Sequence, residues 1–260
     1  QGALQMTSIR QVVCGTLVVG LAAGAAACGG GTQEPVAEAP PAPVSNPVDP
    51  ATAAVITGRV TFMGQAPAPA AITMASDPRC TNTGAVTETV VADAKGGLQN
   101  VFVYVKDGLG NRAFPVPTTP VVLDQKGCQY RPHVFGVQVG QPVEILNSDA
   151  TLHNIHAWPM TNQEFNVGQA LQGLRHTHTF STREVMVPFK CDVHKWMNAF
   201  VGVLDHPFFA ITSAEGAFTL KGLPPGTYTV EAWHEKLGTQ TQSVTVGAKE
   251  TKDIAVSFAL

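Results

Sequence analysis

Val185-Met186-Val187-Pro188-Phe189-Lys190-Cys191-Asp192-Val193-His194-Lys195-Trp196-Met197 is the stretch on which the fold and the chemistry of this sequence turn. Its first half, Val185 to Phe189, is apolar and rich in valine, which reads as a strand. Its second half places a thiol, an imidazole and a thioether just past the strand end, so one loop can bring all three together. Upstream, Asn147-Ser148-Asp149-Ala150-Thr151-Leu152-His153-Asn154 follows another strand-like run, Val143 to Leu146, and supplies a second imidazole. Thiolate and thioether are soft donors that favour copper over magnesium, calcium or manganese. Two imidazoles, one thiolate and a weak axial methionine are the ligands of a trigonal blue-copper site. Zinc would accept the cysteine and histidines but gains little from a thioether, and a structural zinc site would show a fourth Cys, His or carboxylate. The expected cofactor is one copper ion, held by His153, Cys191, His194 and Met197.

Outward from that stretch the chain is a series of short runs with period-two alternation or β-branched and aromatic enrichment. They are Val55 to Phe62, Val101 to Val105, Phe135 to Val139, Phe200 to Leu204, Phe218 to Leu220, Thr227 to Trp233, Ser243 to Val246 and Ile254 to Phe258. Gly, Pro, Asn and Asp clusters separate them, and outside the N-terminus no dozen-residue window has helical apolar spacing. Many short strands predict an all-β sandwich class, and 260 residues suffice for two domains. Only 13% of residues are charged and the net charge is −3, so no basic stripe marks a nucleic-acid surface and nucleic acid is excluded as a partner.

The strand ending Val143-Glu144-Ile145-Leu146-Asn147-Ser148-Asp149, the His153-Asn154 pair and the C-x2-H-x2-M loop resemble the cupredoxins, plastocyanin and, in the short last loop, amicyanin. The resemblance covers roughly 111–205. It implies a Greek-key sandwich, copper on the four named ligands, and a role for Asn154 in fixing the loop that bears the cysteine. It also favours His153 over His156 as the ligand; on an extended chain positions 153 and 156 face opposite sides, so only one points into the site. Further on, Glu215-Gly216 and Leu223-Pro224-Pro225-Gly226-Thr227-Tyr228 resemble the small transthyretin-like sandwich of carboxypeptidase regulatory-like domains. That family opens with strands like Ile56 to Phe62 and Val101 to Val105. The implied organisation therefore has 54–110 as N-terminal strands of the regulatory-like sandwich, 111–205 as a cupredoxin inserted into it, and 206–260 as the remainder. The whole resembles exported proteins of the methylamine-utilisation-like or plastocyanin-like kind.

Arg10 followed by an apolar run from Val12 to Ala27 reads as an export signal, too short and too rich in Ala and Gly to span a bilayer. The run ends Ala25-Ala26-Ala27-Cys28-Gly29, similar to a bacterial lipoprotein box but with Ala25 where that box usually has Leu, so residues 1–28 are read as a signal peptide with Cys28 as lipidation site. Ordinary cleavage that leaves a free thiol is the alternative. Residues 29–53, Pro- and Ala-rich, read as a disordered tether. Of five cysteines, Cys14 lies in the signal and Cys28 is the lipidation candidate. Cys80 and Cys128 sit in turn-like sequence, and in an oxidising compartment a disulfide between them is expected, two buried thiols being the alternative. Cys191 is then the odd one out and needs a chemical explanation.

Among the other histidines, the His176 and His178 pair would share one face if the stretch were a strand, and both read as solvated. His133, His206 and His234 read as structural, with His234 beside Trp233 a candidate interface residue. Trp196 is either a packing wedge or part of an apolar rim where a redox partner docks. The expected function is a non-enzymatic, exported one-electron carrier of the cell envelope, periplasmic or anchored in the outer membrane through its lipid. Its electrons leave by His194, and its partner is a redox protein such as a cytochrome c or an oxidase. A copper-binding or delivery lipoprotein and an adhesion or scaffold protein with a structural metal are the alternatives.

Overall fold

A computed structural model describes residues 48–81 and 84–260 together with the backbone of Val44 and Ser45. The signal segment, including Cys14 and the lipidation candidate Cys28, lies outside the described residues. Within them the chain is all-β, two sandwiches without a helix.

The first sandwich packs a five-stranded sheet on a four-stranded one. The larger runs Phe165–Gln169, His153–Ala157, Glu184–Lys190, Asn198–Leu204, Val134–Gln138; the smaller runs Arg175–Thr179, Pro142–Asn147, Val121–Gln125, Tyr130–Arg131. Alternation sorts the side chains: Pro142–Asn147 turns Val143 and Ile145 inward and keeps Glu144 at the surface edge. These residues join Leu123, Tyr130, Phe135, Ile155, Phe180, Phe189 and Val201 in one core, which also contains Cys191 and Met197.

The second sandwich has a four-stranded sheet, Phe209–Ile211, Phe102–Asp107, Gly226–His234, Gly238–Val246, and a three-stranded one, Ala217–Leu223, Ala54–Phe62, Thr251–Phe258. Ala54–Phe62 is therefore central, paired antiparallel with Ala217–Leu223 and parallel with Thr251–Phe258. Ala54–Phe62 and Phe102–Asp107 thus pair with strands after residue 208, and the first sandwich lies between them in the chain. Between Phe62 and Phe102 the chain also visits the first sandwich, where Met74, Cys80 and Ala85 enter its core.

A small third cluster, with Phe102, Tyr104, Val134 and Leu204 at its centre and Phe209 and Trp233 against it, joins the two sandwiches. Gly136 and Gly202 are cross-strand partners beneath it. A Cβ on Gly202 would stand 2.3 Å from the Phe102 ring, and one on Gly136 would stand 2.4 Å from the Phe209 ring. Only glycine lets those rings lie flat on the sheet.

Several strands carry no strong sequence signal. Arg175–Thr179 and His153–Ala157 are polar, yet they pair in register with Pro142–Asn147 and Phe165–Gln169; tertiary partners override weak propensity. The tether is also shorter than composition suggests. Val44–Ser45 pairs in parallel with Arg112–Ala113, and Val48 packs on the second core, because one apolar side chain at the edge of a finished core suffices to dock the backbone.

Candidate metal centre

His153 begins the strand His153–Ala157, and Cys191 follows the end of Glu184–Lys190; these strands are neighbours in the larger sheet. After Cys191 the chain makes a tight loop. The Met197 amide donates to the His194 carbonyl at 2.9 Å, and the Cys191 amide donates to the Met197 carbonyl at 3.2 Å. Asn154 holds this loop from across the sheet: its Oδ1 accepts the Asp192 amide at 2.7 Å and lies 3.2 Å from Cys191 Sγ. Its Nδ2 donates to Asp192 and to Asn166. The His194 amide donates to Cys191 Sγ at 3.3 Å.

His153, Cys191 and His194 are all buried, and their donor atoms lie within 4.8 Å of one another. The two Nδ1 atoms are 2.9 Å apart, and Cys191 Sγ is 3.9 Å from the His194 Nδ1. Each imidazole turns its other nitrogen to a carboxylate: His153 Nε2 to Asp149 Oδ2 and His194 Nε2 to Asp77 Oδ2, both at 2.9 Å. A carboxylate only accepts, so each Nε2 carries a proton and each Nδ1 faces the centre. The carboxylates are anchored in turn. Asp149 accepts the amides of Gly127 and Cys128, and Asp77 accepts the Thr151 hydroxyl at 2.6 Å and the Arg79 amide.

Electrostatics follows this wiring. Burial disfavours charge on His153, but Asp149 and the Cys191 sulfur outweigh it and raise its pKa to about 9. Burial raises Cys191, yet the His153 hydrogen bond and the surrounding amides bring it below the ordinary thiol value. His194 is lowered by burial, with Asp77 opposing and His153 adding to the shift. Asp77 is held down at about 2, first by the Thr151 hydroxyl and then by the Arg79 amide. The shifts favour a thiolate on Cys191 against a protonated His153; with that Nδ1 proton displaced, a thiolate beside two imidazoles is the donor chemistry of a soft or borderline metal.

Met197 is fully buried in the same loop. His156 points away, paired with Glu164 at 2.8 Å and Asp192 at 3.1 Å, which is the outcome of strand alternation. His194 is only 1% exposed; the segment bearing Asp77 and Cys80 covers it, so its imidazole edge is not a surface exit for electrons. Cys80 and Cys128 form a disulfide, with Cys80 Sγ 3.6 Å from His194 Nε2. Trp196 is a wedge under that disulfide, its Nε1 donating to the Cys128 carbonyl at 2.9 Å. His178 is half-buried and stacked on Phe165, centroids 3.9 Å apart, and His234 is buried, not at an interface. Asp149 and Asp77 escaped sequence reasoning. Asp149 stands four residues before His153 and carried a usable signal, whereas Asp77 comes from a segment that only folding brings here.

A buried two-imidazole, one-thiolate cluster fixed by an asparagine and closed by a C-x2-H-x2-M loop decides the likeness of this domain. The chain resembles the cupredoxins. The carboxypeptidase regulatory-like domain model matches residues 198–260, which begin in the last strand of the first sandwich and run through the C-terminal strands of the second. Among solved structures the chain is similar to a copper-containing nitrite reductase from Thermus scotoductus, at 21% identity and a TM-score of 0.32, over 38% of this chain and 25% of that one. It is similar to a Cu(I) form of an amicyanin variant at 22% identity and a TM-score of 0.30, over 34% and 85% of the two chains. A purple cupredoxin from Nitrosopumilus maritimus aligns at 22% identity and a TM-score of 0.28, over 33% and 98%. The chain thus spans about a quarter of the nitrite reductase. No curated protein sequence matches it.

Proposed function

We propose that the protein is an exported type 1 copper protein that carries single electrons in the cell envelope and is not an enzyme. The observation that carries this reading is the convergence of two Nδ1 atoms and one Sγ in a buried pocket, with each imidazole locked by a carboxylate. This donor set fits copper. His153, Cys191 and His194, with the buried Met197 from the same loop, would hold the ion, which when bound would supply the one-electron couple. The chain's own contribution is rigidity. Asn154 and the loop amides hold the sulfur, the two carboxylates hold the rings, and the sandwich core keeps water out, so donors move little between oxidation states. Two imidazoles, a thiolate and a thioether would together supply four protein ligands, which supports a carrier over an enzyme with an open position for substrate. The partner is a redox protein such as a cytochrome c or an oxidase. Lipidation at Cys28 would tether the protein to a periplasm-facing membrane surface, the outer membrane included.

The test is the visible spectrum of the purified protein with one equivalent of Cu(II), oxidised and then reduced, beside Cys191→Ser. An intense thiolate-to-copper band that bleaches on reduction and is absent from the variant supports the reading. A colourless, redox-silent protein overturns it in favour of zinc or a structural site.

A further inference from the structure

The disulfide lies against the candidate copper site on both sides. Asp77, Cys80 and His194 form one group of donors within 4.8 Å, and Cys128, Asp149 and His153 form another. Disulfide sulfurs are poor ligands, but two thiolates held this close are soft donors suited to Cu(I). Their positions do not depend on the S–S bond alone. The Cys80 amide donates to the Asp77 carbonyl at 3.0 Å, the Cys128 amide donates to Asp149 at 2.8 Å, and Trp196 holds the Cys128 carbonyl. The two Cα atoms are 5.6 Å apart, a spacing from which two thiolates can grip one ion between them.

We propose that Cys80 and Cys128, once reduced, form a second site for Cu(I), flanked by the carboxylates of Asp77 and Asp149 and adjoining the first. An external dithiol reductant opens it: the Cys80–Cys128 bond breaks, a new S–S bond forms in the reductant, and its two electrons and two protons leave two thiols here. Cu(I) then replaces both thiol protons, which pass to solvent, and no electron moves in that step. The reduced protein thereby gathers Cu(I) one imidazole away from the His153–Cys191–His194 cluster, and reoxidation to the disulfide leaves a single site. The inference rests on the reading of that neighbouring cluster as a copper site.

The experiment is an anaerobic Cu(I) titration of the metal-free mature protein against a bathocuproine-type chelator, with the disulfide intact and after a phosphine reductant. One equivalent is expected in the oxidised protein and two in the reduced; Cys80→Ser/Cys128→Ser stays at one in both conditions. In Cys191→Ser only the reduced protein takes an equivalent tightly. Should the double serine variant not fold, protection of Cys80 and Cys128 in the reduced wild type from iodoacetamide by Cu(I), mapped by mass spectrometry, reports the same site. A stoichiometry that does not rise on reduction, a second equivalent that survives the serine substitutions, or unprotected cysteines overturns the proposal. An oxidised protein that binds no copper overturns the neighbouring site instead, while the difference between reduced and oxidised stoichiometry still tests the second.

Discussion

The two sandwiches bury histidines in opposite ways. In the second, His206 donates from Nε2 to the Val105 carbonyl at 2.9 Å and accepts the Phe208 amide on Nδ1, while His234 accepts the amides of Lys236 and Leu237 on Nδ1. Backbone uses those Nδ1 lone pairs. In the first sandwich a carboxylate takes Nε2 of His153 and of His194, and backbone leaves both Nδ1 atoms facing the cysteine. A histidine whose Nδ1 the backbone uses has no donor left for a metal, whereas one whose Nδ1 meets only a second imidazole and a thiol keeps a donor that a metal could take. The same residue type on the same kind of scaffold becomes inert or functional according to what meets its acceptor nitrogen.

The strongest way to break the comparison is to part the sandwiches. Gly202→Val drives a branched side chain into the Phe102 ring, where even a Cβ stands at 2.3 Å. The cost should be about 3 kcal/mol or more by denaturant unfolding. Gly168→Ala, with nothing near its Cβ position, should stay within about 0.5 kcal/mol. Equal stabilities would mean that the aromatic junction couples nothing.

A smaller effect sharpens the division of labour. Asp149→Asn loses the charge that holds the His153 Nε2 proton, and Asn154→Ala frees the Cys191 loop. Each should weaken copper about 10- to 100-fold in a chelator competition. Glu231→Gln, at a buried carboxylate of the second sandwich held by Tyr104 and Lys106, should leave copper affinity where it was. Loss of affinity in all three alike would mean that general destabilisation, not ring orientation, sets it.

Much of the site could be read from the sequence because its donors are of rare type and local spacing: Cys191, His194 and Met197 share one loop, and alternation separates His153 from His156. The carboxylates could not be read that way. Asp77 reaches His194 only because the segment after Phe62 leaves its own sandwich and is stapled to Cys128. Polar strands such as Arg175–Thr179 were likewise hidden, since their strand character lies in the partner Pro142–Asn147 and not in Arg-His-Thr-His-Thr itself. The stacking of His178 and the burial of His234 depend on Phe165 and on the turn at Lys236, neither of which the local pattern reveals.

The finest test is acid. Burial lowers His206 and His234 to about 4 each, below the value near 6.5 of an unfolded histidine. Between pH 6.5 and pH 4 the unfolded chain therefore binds more protons than the folded one, and stability falls as pH falls. Protonation would also cost each ring the backbone amides its Nδ1 accepts. From pH 6.5 to 5.5 the loss should be about 1 kcal/mol per histidine, and a His206→Gln/His234→Gln variant should show a flatter decline in urea unfolding over that range. His153, raised to about 9, has the opposite sign: in the metal-free protein its contribution is present below pH 6.5 and disappears as pH rises through 9. A metal-free protein that instead gained stability from pH 7 to 9 with both second-sandwich histidines replaced would show that His153 is not held by Asp149 in the manner its geometry implies.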